Sequence, residues 1–202
     1  MSRVAVATVS GAAARAGVGL ARRGGNAVDV AVASGLAAVV THPGMCSLGG
    51  GGFLTVWPAG GEPVTVDGGM EMPGRGLDPG ELGRGGRRVE LGYAGGVTTT
   101  VGAGSVATPG LLAACSLAVR RWGRLPWSQV LAPAVELARD GFPMPASSHA
   151  FLTHAHEAIY GHDPRSRAAL HDDRGRLLGP GETVRVEALV ETLELLAREG
   201  VE

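Results

Sequence analysis

Val4 to Val9 sets β-branched residues among small ones and predicts a strand; Ala12 to Arg23 then carries apolar positions at helical spacing until Gly24-Gly25 stops it. Asn26 stands where a helix N-cap belongs. Ala27 to Val40 is apolar around nearly its whole circumference, which predicts a helix buried on most sides, closed by His42-Pro43-Gly44. Phe53 to Trp57 and Pro63 to Asp67 predict a hairpin across Pro58-Ala59-Gly60-Gly61. From Gly68 to Gly104 periodicity fades, so a long irregular connection is expected, with one strand at Val97 to Val101. Beyond Pro109 the pattern turns helical: Gly110 to Arg121, Trp127 to Asp140 with a break at Pro133, Ala146 to Tyr160, and Val184 to Glu199. Residues 1–110 therefore form a strand, helix and glycine-loop region, and 111–202 a mainly helical one.

Composition narrows the function classes. Eighteen basic residues, all arginine, against nineteen acidic ones leave no basic surface for a phosphate backbone, so a nucleic-acid partner is not expected. With 34 glycines and 4% aromatics, close Ala-rich packing has to supply the core. Cys46 and Cys115 are too few for a disulfide framework and suit a reducing compartment. The start lacks the apolar stretch of a secretory signal, and Ala27 to Val40 is short for a membrane span; a cytoplasmic protein without a membrane partner is expected.

Each candidate for chemistry has a plainer counterpart. Gly49 to Gly52 offers backbone N–H groups to a phosphate, but there is no lysine and the glycines precede a strand, so close backbone packing is the favoured reading. His42 and Cys46 invite a thiol–imidazole pair, yet a Pro-Gly turn separates them and no Asp or Asn nearby orients the ring. Thr98-Thr99-Thr100 lacks a free α-amine and reads as strand. His149, His154, His156, His162 and His171 do not share a helix face, which favours surface or capping roles over a metal site. Asp172-Asp173-Arg174-Gly175 reads as a turn. Glu187, Glu191 and Glu194 read as a solvated face opposite Leu189, Leu193 and Leu196.

Several strings go further. Gly24-Gly25-Asn26-Ala27-Val28-Asp29, Gly49 to Phe53, Val106-Ala107-Thr108-Pro109-Gly110, Gly123 to Trp127, Ala132 to Pro143 and Gly181-Glu182-Thr183 together resemble the γ-glutamyltransferase (glutathione hydrolase) family over nearly the whole chain. The resemblance implies an α/β (α+β) fold, the αββα sandwich of an N-terminal nucleophile hydrolase, of which only the N-terminal part is present. It also implies a precursor that cleaves itself into large and small subunits. The new terminal threonine is then the nucleophile, its own α-amine the base, and a Gly-Gly pair the oxyanion hole. A small-molecule amide is the implied substrate, and no metal or organic cofactor is implied.

Two departures shape the expectation. The matched motifs belong to the front of the large subunit, so no catalytic residue is assigned on this chain and its partner is the missing small-subunit part of the same precursor. The chain alone is expected to be inactive. The family pattern Asp-x-Arg-Glu-x-Ala-Pro, whose arginine clamps the substrate carboxylate, reads here Asp67-Gly68-Gly69-Met70-Glu71-Met72-Pro73. Gly69 replaces the clamp. Arg75 is the candidate substitute, weighed against a free surface arginine that flexible Gly74 and Gly76 favour. The alternatives are an acylase of the same fold acting on a non-glutamyl amide, and a truncated or degenerate non-catalytic product.

Overall fold

The computed structural model describes residues 4–82 and 84–201. Helix α1 (Gly11–Arg22) starts at Ser10, whose side chain accepts from the Ala13 N–H, and buries Ala13, Ala16, Gly17 and Leu20. Against it lies α2 (Ala27–Thr41), which buries Val30, Val32, Ala33, Leu36 and Ala37. Small residues let the two axes approach: a Cβ on Gly17 would run into Ser34 Oγ.

Strands β1 (Gly52–Val56) and β2 (Val64–Gly68) pair antiparallel with Leu54 opposite Val66, as the hairpin pattern predicts. Leu54 and Val66 turn inward, whereas Phe53 and Trp57 stay exposed on the other face. Strand β3 (Arg87–Leu91) is a second strand inside the stretch expected to be irregular, and it pairs with β4 (Val97–Val101), the one expected there. The physical reason is alternation: Val89 and Leu91 alternate with Arg88 and Glu90, and the inward pair packs with Val101 on Ala155.

Helices α3 (Leu111–Trp122) and α4 (Trp127–Asp140) follow. No break occurs at Pro133, contrary to expectation. A proline inside a helix costs about 3 kcal/mol; the buried row Val130, Leu131, Ala134, Val135 and Ala138, packed on α2 and on α7 (Glu187–Glu199), outweighs it. β5 (Phe142–Pro143) pairs with β6 (Thr183–Val184), so the last helix begins at Glu187 and not at Val184. Its Leu193 is fully buried, with Glu187, Glu191 and Glu194 exposed as expected.

α5 (Ala146–Ala155) runs into a π-helical turn, His156–Tyr160, and α6 (Pro164–Leu170) comes after it. That last helix is an addition to the sequence-based expectation, with Asp163 capping it and Pro164 opening it. Val4 to Val9 is also corrected, for it joins no ladder among the described residues. The alternation is present, with Val4 and Val6 packed on the main core, but no described strand lies beside it to accept its hydrogen bonds. Among the described residues no helix is long and apolar enough to cross a membrane.

Candidate functional site

The sequence motifs converge on three joints. At the first, Asn26 Oδ1 accepts from the N–H groups of Val28 (3.0 Å) and Asp29 (3.2 Å), and Asp29 Oδ2 accepts from Asn26 N–H at 2.8 Å, a reciprocal cap. Asp29 is fully buried. Its carboxylate also takes the N–H groups of Arg124 (3.0 Å) and Leu125 (3.4 Å), while Asn26 Nδ2 donates to the Trp122 carbonyl at 2.6 Å. The two strings Gly24–Asp29 and Gly123–Trp127 are thus one device fastening α2 to the end of α3. Trp127 extends it by donating Nε1–H to the Leu196 carbonyl at 2.9 Å, at the last turn of α7.

The second joint is made of glycine. The Gly50 carbonyl accepts from the N–H groups of Gly110 (3.3 Å) and Leu111 (3.2 Å), and Glu71 and Thr108 exchange two backbone bonds of 2.8 and 3.1 Å. A Cβ at Gly68 would lie 2.6 Å from Ala114 Cβ; one at Gly110 would lie 2.6 Å from the carbonyl oxygens of Gly68 and Gly69. The glycine run therefore brings the hairpin onto the start of α3 by backbone contact, the packing reading, with the Gly50 amide turned to the Ser47 carbonyl.

At the third joint Met144 N–H donates to the Glu182 carbonyl (2.8 Å) and Gly181 N–H to the Met144 carbonyl (2.9 Å), pinning the Phe142-Pro143 string to the Gly181-Glu182-Thr183 string. Arg176 holds the Glu182 carboxylate with two bonds of 2.9 and 2.8 Å, and with the Gly179 N–H draws its pKa down to about 2.

Gly69 follows β2 directly, half-buried, with its N–H donated to Asp67 Oδ1 at 2.8 Å. Arg75 is ion-paired with Glu71, and its side chain is 82% exposed. Neither lines the main cavity, about 730 Å³ between α2, β1 and α3. Its walls include Ala31, Gly35, Val39, Leu54, Leu111 and Trp122, and its titratable group is Cys115, whose thiol burial pushes up to about 11. A thiol so desolvated stays protonated and is no nucleophile. His42 turns Nδ1 to the Ala38 carbonyl at 2.9 Å, back into its own helix, and Cys46 is exposed, so the thiol–imidazole reading gains nothing. Thr98 to Thr100 lie within β4, as read from the sequence.

One association is invisible to the sequence pattern. His156 and His171 lie 15 positions apart on different elements, yet His156 Nδ1 and His171 Nε2 come within 2.8 Å of each other. Spacing along a single helix says nothing about such a pair, and no local periodicity signals it.

The model of the family described as gamma-glutamyltranspeptidase matches residues 13–202. The chain belongs to this family. It is 34% identical over 201 residues to the glutathione hydrolase proenzyme of Escherichia coli (strain K12), covering 96% of this chain and 32% of that protein. With the acylase ACY 1 proenzyme of Pseudomonas sp. (strain V22) it shares 35% identity over 210 residues, 100% of this chain and 36% of that one. The solved γ-glutamyltranspeptidase of Pseudomonas nitroreducens, complexed with L-DON, superimposes with a TM-score of 0.78 at 29% identity, covering 99% of this chain and 56% of that one. The chain thus spans about a third of the length of the curated relatives it matches. Its fold is that of the γ-glutamyltranspeptidase N-terminal nucleophile hydrolases. Within this γ-glutamyltranspeptidase-family chain the motif residues Asn26, Asp29, Gly68, Gly110 and Glu182 act as fasteners; none of them pairs a nucleophile with a base.

Proposed function

We propose that the protein carrying this chain cleaves an amide by acyl transfer, and that this chain is the front of its large subunit. The nucleophilic threonine, its α-amine and the oxyanion glycines then come from another part of the same precursor, and the γ-glutamyl amide of glutathione is the first substrate to consider. The observation that carries this reading is the match over residues 13–202 to a family whose similar members are proenzymes. Two structural features support it. The β1–β2 hairpin leaves Phe53 and Trp57 largely exposed where they line the apolar cavity, and the cavity walls carry no reactive group; both suit a chain that the rest of a precursor covers.

A second reading, an acylase acting on a non-glutamyl amide, is favoured by Gly69. The family resemblance puts an arginine at that position, and an Arg–carboxylate hydrogen-bonded pair contributes about 1.5–3 kcal/mol. Arg75 would have to leave Glu71 to replace it. A Cβ on Gly69 meets Asp67 Oδ1 at 3.0 Å and Phe53 Cζ at 3.5 Å, so a side chain fits there after a small shift. In the complete protein, Gly69→Arg is expected to raise kcat/KM for γ-glutamyl-p-nitroanilide by about 10-fold or more. Unchanged turnover and affinity would show that the missing clamp does not set the substrate.

A further inference from the structure

The pair His156 and His171 carries chemistry that the acyl-transfer reading does not use. His171 is buried, and its Nδ1 faces the Arg167 carbonyl at 2.8 Å. A carbonyl only accepts, so Nδ1 holds the ring proton and Nε2 is left with a bare lone pair. That lone pair points at His156 Nδ1, 2.8 Å away, which therefore donates in the resting protein. Fixing one imidazole nitrogen on a backbone carbonyl so that the other is free is the arrangement by which proteins orient histidine as a metal ligand.

A carboxylate completes the group. Glu157 Oε1 is 3.6 Å from His156 Nδ1, and one ligand atom each from His156, Glu157 and His171 all fall within 4.8 Å of one another. Arg167 Nη1 donates to both Glu157 oxygens at 2.8 Å, holding the carboxylate at the site while lone pairs remain on each oxygen. The backbone adds its own indication, because His156 opens the π-helical turn that ends α5, a distortion found frequently at functional sites.

We propose that His156 Nδ1, the Glu157 carboxylate and His171 Nε2 bind a first-row transition-metal dication of the Zn²⁺ class, with one coordination position left to water. Two imidazoles and a carboxylate match the ligand preference of that ion better than that of Mg²⁺ or Ca²⁺. Binding moves the His156 proton from Nδ1 to Nε2, so the ring changes tautomer and no net proton is lost. Metal–nitrogen bonds of about 2.0–2.1 Å in tetrahedral geometry require the two nitrogens to separate to roughly 3.3 Å. The rings must also turn so that both lone pairs converge on the ion, a movement that His156, only partly buried at the end of its helix, has room to make. The ion would clip the end of α5 to the segment beyond α6, where His171 pairs with Leu177.

The test uses the purified protein stripped with EDTA and titrated with Zn²⁺, and separately with Co²⁺ as a spectroscopic probe. One equivalent of Zn²⁺ per chain is expected, with the visible bands of four-coordinate Co²⁺ and a melting temperature roughly 5–10 °C higher at 100-fold excess over Kd. His156→Gln and His171→Gln are each expected to weaken binding about 100-fold, and Glu157→Gln about 10-fold. Should His171→Gln fail to fold, His156→Gln at its less buried position decides. Absence of stoichiometric binding, or a His156→Gln protein that binds Zn²⁺ as tightly as the parent through His149, His154 or His162, would overturn the proposal.

Discussion

Asp29→Ala is expected to lower stability by about 3–5 kcal/mol, because it leaves three backbone N–H groups unpaired, each at about 1–3 kcal/mol when kept from water. The carboxylate is completely buried and accepts from three backbone N–H groups, those of Asn26, Arg124 and Leu125. Alanine leaves all three donors without a partner. The damage reaches two elements at once, the N-terminus of α2 and the turn leaving α3. A fall in melting temperature of roughly 10 °C follows from the usual scaling for chains of this size. Asp29→Asn retains one acceptor oxygen but aims an amide N–H₂ at backbone donors, and should fall between alanine and the parent. Thermal unfolding followed by circular dichroism checks both; a loss below about 1 kcal/mol for alanine would mean that the joint is wet and its hydrogen bonds are replaced by solvent.

Gly110→Ala is the second large effect, expected at about 2–3 kcal/mol, within the range for forcing atoms into a packed interior. Its φ of −116° is open to any residue, so strain in the backbone is not the cause. The cause is contact: the added methyl would sit 2.6 Å from the carbonyl oxygens of both Gly68 and Gly69. Those oxygens belong to the last residue of β2 and the one after it, and relief comes from lifting α3 off the hairpin, which also stretches the bonds from Gly110 and Leu111 to the Gly50 carbonyl. Gly19→Ala in α1 is the control, since nothing lies within 4 Å of its Cβ. There the change should be neutral or stabilising by up to about 1 kcal/mol. Equal urea midpoints for the two variants would show instead that crowding at Gly110 is relieved without cost.

The parts of this fold that can be read from the chain are those whose cause is local. Asn26 followed by Asp29 three residues later specifies a cap whatever surrounds it, and Phe53 to Asp67 specifies a hairpin through alternation and turn residues. The family resemblance carries the rest of the framework, and the structure supplies its physical content: strings far apart in sequence, such as Gly24–Asp29 and Gly123–Trp127, are two halves of one hydrogen-bonded joint. What cannot be read depends on partners distant in the chain. Val4 to Val9 has the alternation of a strand but no neighbour to pair with among the described residues. Pro133 has the chemistry of a breaker, and tertiary burial of Val130, Leu131 and Ala134 keeps the helix intact. The pair His156 and His171 is brought together by the turn after α5 and by α6, a helix whose own start signal, Asp163 followed by Pro164, is local and legible. Gly69 is placed by the family motif and Arg75 by its position two residues beyond that motif; the structure adds that the first has room for a side chain, while the second pairs with Glu71 on its own segment.

That this chain is the front of a self-processing amide-cleaving enzyme is tested most directly by intact mass. The gene is expressed from its native locus with its downstream sequence, and the products are weighed and their N-termini read. The expected result is a larger precursor that splits into two chains, the second beginning with threonine. A single product of 202 residues that never associates with a second chain would contradict it.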